Sequence, residues 1–174
     1  MRGIDAIALP VAEFGGDSHA RDLAIRDRLR AAQAQLVVCA GYDRVLAEEL
    51  IDDFPGAILN LHPSLLPAFG GGMTAVEDAL AFGAKVTGCT VHFLEAGAPD
   101  GGAVILQASV PVREDDDVET LRARIHEQEW RLLPEAVRLW CTGRLRREGR
   151  RVRILDTVAT PGGGSSAPRS PEAT

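Results

Sequence analysis

The sequence predicts an α/β fold with a mostly parallel, open twisted sheet and an antiparallel carboxyl-terminal part. Short apolar runs alternate with longer helical patterns in the first half of the chain, which is typical of strands connected by helices. From Val86 onward the apolar pattern changes to a period of two, which indicates strands that pair without an intervening helix. The chain has 174 residues, of which 45% are hydrophobic, enough to build one domain with a core.

Strands and helices are predicted to alternate as far as the glycine-rich stretch near residue 70. Pro10 and Gly41 end two of the apolar runs, and an acidic or hydroxyl side chain at Asp17 or Ser18 suits the start of a helix. The run Leu36–Ala40 is continuously apolar, so it is predicted to be buried on both faces. In chain order, the predicted elements are a strand at Ile4–Leu9, a helix to about Ala34, a strand at Leu36–Ala40, a helix from about Asp43 and a strand at Ala57–His62.

The second half is predicted to contain two helices, two long strands and a small hairpin. The last helix contains Pro134, which predicts that it is broken or kinked there. Residues 1–156 are predicted to form one domain, and residues 157–174, rich in Gly, Ser and Pro, a disordered tail. The predicted elements are a helix at Thr74–Phe82, strands from Val86 and over Ala103–Val112, a helix from Asp115–Asp117 to Thr142, and a hairpin at Leu145–Leu155.

Composition and charge limit the class of partner. The net charge is −6 and no basic stripe is visible, which disfavours a nucleic acid. The three cysteines lack metal-site spacing, so no metal is predicted, and Cys39 and Cys89 are expected to be buried apolar residues. With no signal peptide and no apolar run of membrane-spanning length, a cytoplasmic location is expected.

The candidate site lies at the end of the strand that contains Asn60 and His62. Residues two apart on a strand face the same way, so these two side chains point to one side. Pro63 cannot continue a central ladder, so the strand ends just after His62. The carboxyl ends of strands in open α/β sheets are where ligands bind.

Asp100 is the third candidate, because its Gly-rich loop connects two strands and brings a carboxylate to the same edge. If Asp100 reaches His62, it fixes the imidazole and favours its charged form. An amide, an imidazole and a carboxylate suit acyl transfer through a tetrahedral intermediate. Ser64 lacks the G-x-S-x-G setting of a nucleophile, which favours attack by an amine of the substrate itself.

Three blocks of sequence resemble the folate-dependent formyltransferases, most closely those that formylate glycinamide ribonucleotide. The blocks are N-L-H-P-S-L-L-P at Asn60–Pro67, G-C-T-V-H-F at Gly88–Phe93 and D-G-G-A-V-I-L-Q at Asp100–Gln107. The resemblance covers the chain from about Ile4 to Leu145. It implies a Rossmann-like fold and transfer of a formyl group from 10-formyltetrahydrofolate to the amine of glycinamide ribonucleotide, in purine biosynthesis.

The resemblance also implies a role for each matching residue. Asn60 would bind the formyl oxygen, His62 would act as general acid or electrostatic stabiliser, and Asp100 would keep His62 protonated. The loop from Glu95 to Pro99 would close over the pteridine, and His92 would support the site from the core. The pteridine would be cradled by Asp43, Arg44, Val45 and Leu46, with Asn60 also on the folate side. Glu129 on the long helix would bind the ribose hydroxyls of the substrate.

The amino-terminal part departs from the family. The family's glycine-rich phosphate-binding turn, G-x-G-S-N, has no match within residues 1–16. On the resemblance, the chain begins just before the family's third strand, which predicts a bare apolar edge at Leu36–Ala40 and weak binding of the phosphoribosyl group. A start upstream of Met1 is the favoured explanation, ahead of a fragment or of a second polypeptide that supplies the missing half.

Three alternatives stay open. A sister formyltransferase would act on methionyl-tRNA or on a sugar amine, a formyltetrahydrofolate hydrolase would use water, and a non-catalytic remnant would only bind folate. The predicted partners are glycinamide ribonucleotide and the folate co-substrate, with no nucleic acid and no membrane. A homodimer is kept as an option.

Overall fold

The computed structural model describes residues 3–42, 44–98 and 100–156. The predicted tail at 157–174 and Asp43 lie outside the described residues. In chain order the elements are a 3-10 helix at Val11–Phe14, α1 (Ser18–Ala31), β1 (Val37–Cys39), α2 (Glu48–Asp53), β2 (Ile58–His62), α3 (Ala75–Phe82), β3 (Val86–Phe93), β4 (Val104–Pro111), α4 (Val118–Cys141), β5 (Leu145–Glu148) and β6 (Arg151–Ile154).

The described strands form a four-stranded mixed sheet in the order β1-β2-β3-β4 and a separate hairpin of β5 and β6. Strand β1 is parallel to β2, whereas β2–β3 and β3–β4 are antiparallel. The predicted α/β fold with a mixed sheet is therefore confirmed, although its parallel part is narrower than expected and consists of one strand pair. The hairpin predicted at Leu145–Leu155 is also present, as the antiparallel pair of β5 and β6.

The helix ends follow the capping residues in the sequence. The Asp17 side chain accepts the amide hydrogens of His19 and Ala20 at the start of α1. A capping box of Asp117 and Thr120 begins α4, and Gly83 ends α3 in the left-handed conformation. These boundaries agree with the predicted ones to within a few residues.

Pro134 lies inside α4 without breaking it, so the predicted break is wrong. A proline inside a helix removes one hydrogen bond and costs about 3 kcal/mol. Buried side chains on both sides of Pro134, namely Leu121, Ile125, Ala136 and Leu139, hold both halves of the helix against the sheet. Their packing outweighs the lost bond.

Two other predictions near the amino terminus are wrong. Ile4–Leu9 is not a strand, and Ile4 and Ile7 are exposed, because no described strand pairs with this run. Helix α2 begins at Glu48 rather than near Asp43, because Ala47 adopts an extended conformation and donates its amide hydrogen to the Asp22 carboxylate.

The strands differ in burial according to their position in the sheet. Leu59 and Val91 in the two central strands are fully buried, and α4 covers their face of the sheet. Strand β1 lies at the sheet edge, and Val38 is 40% exposed. The prediction that this run is buried on both faces is therefore wrong, whereas the predicted apolar edge is present.

Candidate active site

Asn60 and His62 lie at the carboxyl end of β2 and share one face of the sheet. Both belong to the described ladder, in which Asn60 is paired with His92 and His62 with Thr90 on β3. His62 is buried and Asn60 is partly buried. Because residues directly opposite in an antiparallel pair point to the same face, the ladder places two further polar side chains beside them.

The loop between β3 and β4 brings Asp100 to His62. The distance from His62 Nδ1 to Asp100 Oδ1 is 3.4 Å. The other imidazole nitrogen, Nε2, lies 3.1 Å from the carbonyl oxygen of Phe69 and donates to it. Both nitrogens of His62 thus face an oxygen atom that can accept a hydrogen bond, which fixes the plane and direction of the imidazole ring.

Two contacts hold Asp100 in this position. Its Oδ2 accepts the amide hydrogen of Gly71 at 2.5 Å, so the glycine-rich loop after β2 closes onto the carboxylate. Gly102 follows where the chain passes against β3, and a Cβ atom there would lie 1.8 Å from the Phe93 carbonyl oxygen. The D-G-G block therefore needs glycine at its third position because of this close backbone approach.

His92 orients the Asn60 amide. Its Nδ1 lies 2.9 Å from the Phe93 carbonyl oxygen and donates to it, which leaves Nε2 as an acceptor. Asn60 Nδ2 lies 3.1 Å from this Nε2 and donates to it. Burial lowers the pKa of the His92 imidazole, so the neutral form that can accept is the favoured one. His92 is a core histidine with a partner, as predicted.

Thr90 and Gln107 fix the segment that follows His62. Thr90 Oγ1 donates to the Ser64 carbonyl at 2.7 Å and accepts the Leu66 amide hydrogen at 3.1 Å. Gln107 Nε2 donates to Thr90 Oγ1 and to the Leu66 carbonyl. The three sequence blocks are thus connected by hydrogen bonds. Sequence reasoning missed these two residues, although their shared register on β3 and β4 is the signal that could have found them.

Ser64 and the two buried cysteines, Cys39 and Cys89, are poor nucleophiles. The Ser64 hydroxyl is buried and donates to the Ala68 carbonyl at 2.5 Å. Cys39 and Cys89 are buried, as predicted, and burial raises the pKa of each thiol to about 11. The geometry is that of a site that supplies donors and charge while another group attacks.

A cavity of about 390 Å³ opens beside Asn60, His62 and Asp100. Its opposite wall comes from the segment after β1, including Arg44, Val45 and Leu46, which the resemblance assigned to the pteridine. Apolar side chains from α2 and from the end of β3 also line it, as do Glu95 and Gly97 of the predicted closing loop. A mostly apolar cavity with a few converging polar groups suits an aromatic ring system with polar edges.

Glu129 lies on α4 and does not line this cavity. Its side chain is 12% exposed and lies 3.7 Å from His126 Nε2. Burial raises the pKa of the Glu129 carboxyl, with His126 and His62 opposing that shift. Glu129 is therefore not a solvated helical acid, whereas His126 and His19 lie at the surface, as predicted.

Comparison with known proteins decides the family. A family model described as formyl transferase matches residues 8–137, most of the described chain. The chain belongs to the formyl transferase family. A phosphoribosylglycinamide formyltransferase from Mycobacterium tuberculosis is 46% identical over 139 residues, which cover 76% of this chain and 64% of that protein.

Solved structures of similar proteins agree with the fold. A glycinamide ribonucleotide transformylase from Symbiobacterium toebii has a TM-score of 0.76 and 54% identity, with 80% of this chain and 65% of that chain covered. A formyltetrahydrofolate deformylase from Pseudomonas syringae has a TM-score of 0.74 and 25% identity, covering 82% of this chain and 47% of that one. The fold is thus the Rossmann-like formyltransferase fold, and the chain spans less than two thirds of these relatives. None of the described helices is both long and apolar enough to cross a membrane.

Proposed function

We propose that the protein transfers a formyl group from 10-formyltetrahydrofolate to the amine of glycinamide ribonucleotide. The observation that carries this proposal is the cluster of Asn60, His62 and Asp100 at the edge of the cavity, with His62 Nδ1 3.4 Å from Asp100. The relatives named above support the choice of substrates, since two of them are glycinamide ribonucleotide formyltransferases by name.

The folate occupies the cavity with its pteridine against the segment after β1. Val45 and Leu46 supply apolar contact, while Arg44 and the backbone offer polar groups to the ring edges. Asp43, which the resemblance also assigns to the pteridine, is part of this proposal on that ground alone. The formyl group then lies near Asn60 and His62, which both line the cavity. The loop that contains Glu95 closes the other side.

The reaction is a direct transfer without a covalent enzyme intermediate. The substrate amine attacks the formyl carbon, and the carbonyl oxygen becomes an oxyanion. Asn60 Nδ2 has two hydrogens, of which His92 accepts one, so the second can be donated to this oxyanion. The bond between the formyl carbon and N10 then breaks, and the proton lost by the amine is transferred to N10.

His62 and Asp100 act as an electrostatic pair in this step. In its charged form the imidazole of His62 stabilises the oxyanion, and the neighbouring Asp100 carboxylate orients the ring. Because His62 Nε2 donates a hydrogen bond to the Phe69 carbonyl, this nitrogen can donate a proton to the substrate only if the Phe69 carbonyl moves away. Electrostatic stabilisation requires no such movement.

Glu129 binds the ribose hydroxyls of the amine substrate. Its carboxyl is mostly shielded from solvent and lies on α4, outside the folate cavity, as a separate substrate site requires. Replacement by glutamine would keep one acceptor oxygen and remove the charge. We expect Glu129→Gln to raise KM for glycinamide ribonucleotide and to leave KM for the folate unchanged.

The test is the conversion of 10-formyltetrahydrofolate to tetrahydrofolate, followed by absorbance with and without glycinamide ribonucleotide. Amine-dependent turnover that yields formylglycinamide ribonucleotide is expected. Amine-independent turnover would favour the hydrolase instead, an alternative supported by the structural similarity to the Pseudomonas syringae deformylase. Binding of folate without turnover in either assay would leave a folate-binding remnant. Turnover with methionyl-tRNA or a sugar amine in place of glycinamide ribonucleotide would identify a sister formyltransferase.

The remaining parts of the proposal concern setting and assembly. The protein is proposed to act in the cytoplasm on two small molecules, with no nucleic-acid or membrane partner, in keeping with a net charge of −6. A homodimer is proposed as the assembly, and sedimentation equilibrium at assay concentrations tests it. A monomer mass would contradict that part alone.

A further inference from the structure

Asp22 on α1 is a buried carboxylate that the proposed reaction does not use. It is only 1% exposed, although it lies on a helix that is otherwise mostly half-buried or exposed. The apolar side chains Leu23, Ile25 and Leu29 of this helix are only half-buried, whereas Asp22 and Arg21 are buried. A charged group taken out of water is costly unless it is paired and hydrogen-bonded.

Asp22 is satisfied by donors from three residues. Its Oδ1 accepts from Arg21 Nη2 at 3.0 Å and from the Tyr42 hydroxyl at 2.6 Å. Its Oδ2 accepts the amide hydrogen of Ala47 at 2.9 Å. Arg21 also donates to the Tyr42 oxygen, and its guanidinium lies 5.1 Å from the centre of the Tyr42 ring. The two carboxylate oxygens of Asp22 therefore hold Tyr42 and Ala47, which are five positions apart in sequence.

These two residues are the ends of the cavity wall. Tyr42 lines the cavity and follows Gly41, which has a left-handed φ of 69° and turns the chain away from β1. Ala47 precedes α2 and has no side-chain cap of its own. The described residues between them are neither helix nor strand, and Arg44, Val45 and Leu46 line the cavity. Asp22 thus fixes both ends of a segment that lies outside the sheet ladder.

We propose that Asp22 is a positioning residue for folate binding, which shapes the pteridine wall by holding the Tyr42 hydroxyl and the Ala47 amide from behind. This inference rests on the proposed function of the cavity. It assigns to α1 a role that neither the resemblance nor the catalytic cluster requires. Asp22 does not line the cavity, so it acts only through the segment that it holds.

The chemistry of Tyr42 agrees with this role. Burial, together with the hydrogen bond to Asp22, raises the pKa of the Tyr42 hydroxyl above its ordinary value. The hydroxyl therefore stays protonated and donates to the carboxylate throughout the ordinary pH range. Removing the Tyr42 hydroxyl loosens one end of the wall, whereas removing the charge of Asp22 weakens the hydrogen bonds at both ends.

The experiment compares Asp22→Asn, Tyr42→Phe and the double variant with the parent chain. Asp27→Asn is the matched control, because Asp27 lies on the same helix with a side chain that is 63% exposed. Tetrahydrofolate binding is measured by calorimetry, and hydrogen exchange is followed over residues 42–47. Steady-state kinetics then separate kcat from KM for 10-formyltetrahydrofolate.

We expect Asp22→Asn to weaken tetrahydrofolate binding about tenfold, the effect of losing a hydrogen bond to a charged group. Exchange of the Ala47 amide should become faster, and KM should rise while kcat stays within about threefold of the parent. Tyr42→Phe should show a smaller loss, and the double variant should resemble Asp22→Asn, because the two side chains act as one unit. Asp27→Asn should change none of these quantities.

Equal tetrahydrofolate affinity and equal Ala47 exchange in Asp22→Asn and the parent would overturn the inference. If Asp22→Asn fails to fold, Tyr42→Phe decides, and an unchanged affinity in that variant overturns it. A loss of kcat without a change in affinity also contradicts it. A parent chain that binds no tetrahydrofolate would overturn the proposed function and this inference together, whereas equal binding by all variants would leave the proposed function intact.

Discussion

The two walls of the cavity are held by different means. On one side, Asn60, His62 and their partners on β3 are fixed by the register of an antiparallel ladder within a buried sheet. On the other side, the segment from Tyr42 to Ala47 follows an edge strand and is held at its ends by a single carboxylate. The ladder fixes every residue of a strand, whereas the Asp22 carboxylate fixes only Tyr42 and Ala47. We call the wall with Asn60 and His62 the ladder side of the cavity, and the wall formed by the segment from Tyr42 to Ala47 the clamp side.

This difference matches the two tasks that we propose for the walls. Oxyanion stabilisation needs donors placed to within a fraction of an ångström, which suits groups on strands with buried neighbours. A ring-binding wall can adjust slightly without loss of chemistry, so a segment outside the ladder is sufficient. Substitutions on the ladder side should therefore affect the rate and the stability, and substitutions on the clamp side the affinity.

The largest effect is expected on the ladder side, at Asn60 and His62. Asn60→Ala and His62→Ala should each lower kcat about a hundred- to a thousandfold, because each removes one preorganised group from the oxyanion. Folate affinity should change far less, since the clamp-side wall is untouched. The measurement is single-turnover formyl transfer with both substrates saturating.

Asn60→Asp is a useful companion variant, because its shape is kept while the amide donor is lost. Its circular dichroism spectrum and tetrahydrofolate affinity should stay close to those of the parent. Near-normal kcat in Asn60→Ala or His62→Ala would contradict the proposed roles of these residues. A large loss of folate affinity in either variant would contradict the division of tasks between the walls.

The sequence predicts the ladder side well, for a physical reason. Alternation along β2 places Asn60 and His62 on one face, and a proline that cannot join the ladder marks the strand end. The loop that joins two strands predicts only that Asp100 lies at the same edge of the sheet, and the structure adds the 3.4 Å contact of its carboxylate with His62 Nδ1. Alternation along a strand and the stop at a proline are local rules, and local rules predict the geometry of a ladder.

The amino-terminal run and the clamp side could not be predicted, because both depend on contacts between residues far apart in sequence. Whether Ile4–Leu9 becomes a strand depends on a neighbouring strand, and no local pattern encodes one. The late start of α2 depends on a hydrogen bond from Ala47 to Asp22, which is 25 residues away in sequence. A single acidic residue in an amphipathic helix looks like a solvated side chain until its long-range partners are known.

The next largest effect is expected at Thr90, which connects the ladder to the segment after His62. Thr90→Val keeps the shape and leaves the Ser64 carbonyl without its donor and the Leu66 amide without its acceptor, both within the described core. We expect the free energy of unfolding to fall by about 2 kcal/mol, the cost of buried unpaired polar groups. Urea denaturation measures it.

Thr87 on the same strand is the matched control. It is buried like Thr90, but its hydroxyl oxygen has no hydrogen-bond partner within the described part of the chain. Thr87→Val should therefore leave the free energy of unfolding unchanged or raise it. Equal losses in the two variants would show that the hydrogen bonds of Thr90 do not hold the segment, and that burial of β3 alone sets the stability on this side.

The smallest effect is expected at Glu129, whose carboxyl has a pKa raised by burial. The native state then binds a proton more tightly than the unfolded chain, so the corresponding stabilisation is fully present below the unfolded pKa of about 4.5 and is lost as pH rises through the native pKa. Unfolding by urea, measured at several pH values from 4 upward, should show a steeper fall in stability across this window in the parent than in Glu129→Gln, which has no charge to bury.

Glu127→Gln is the control, because Glu127 is exposed on the same helix. If the free energy of unfolding of the parent and of Glu129→Gln changes with pH in parallel, the Glu129 carboxyl is exposed to water. That result would contradict the proposal that Glu129 belongs to a substrate site shielded from solvent.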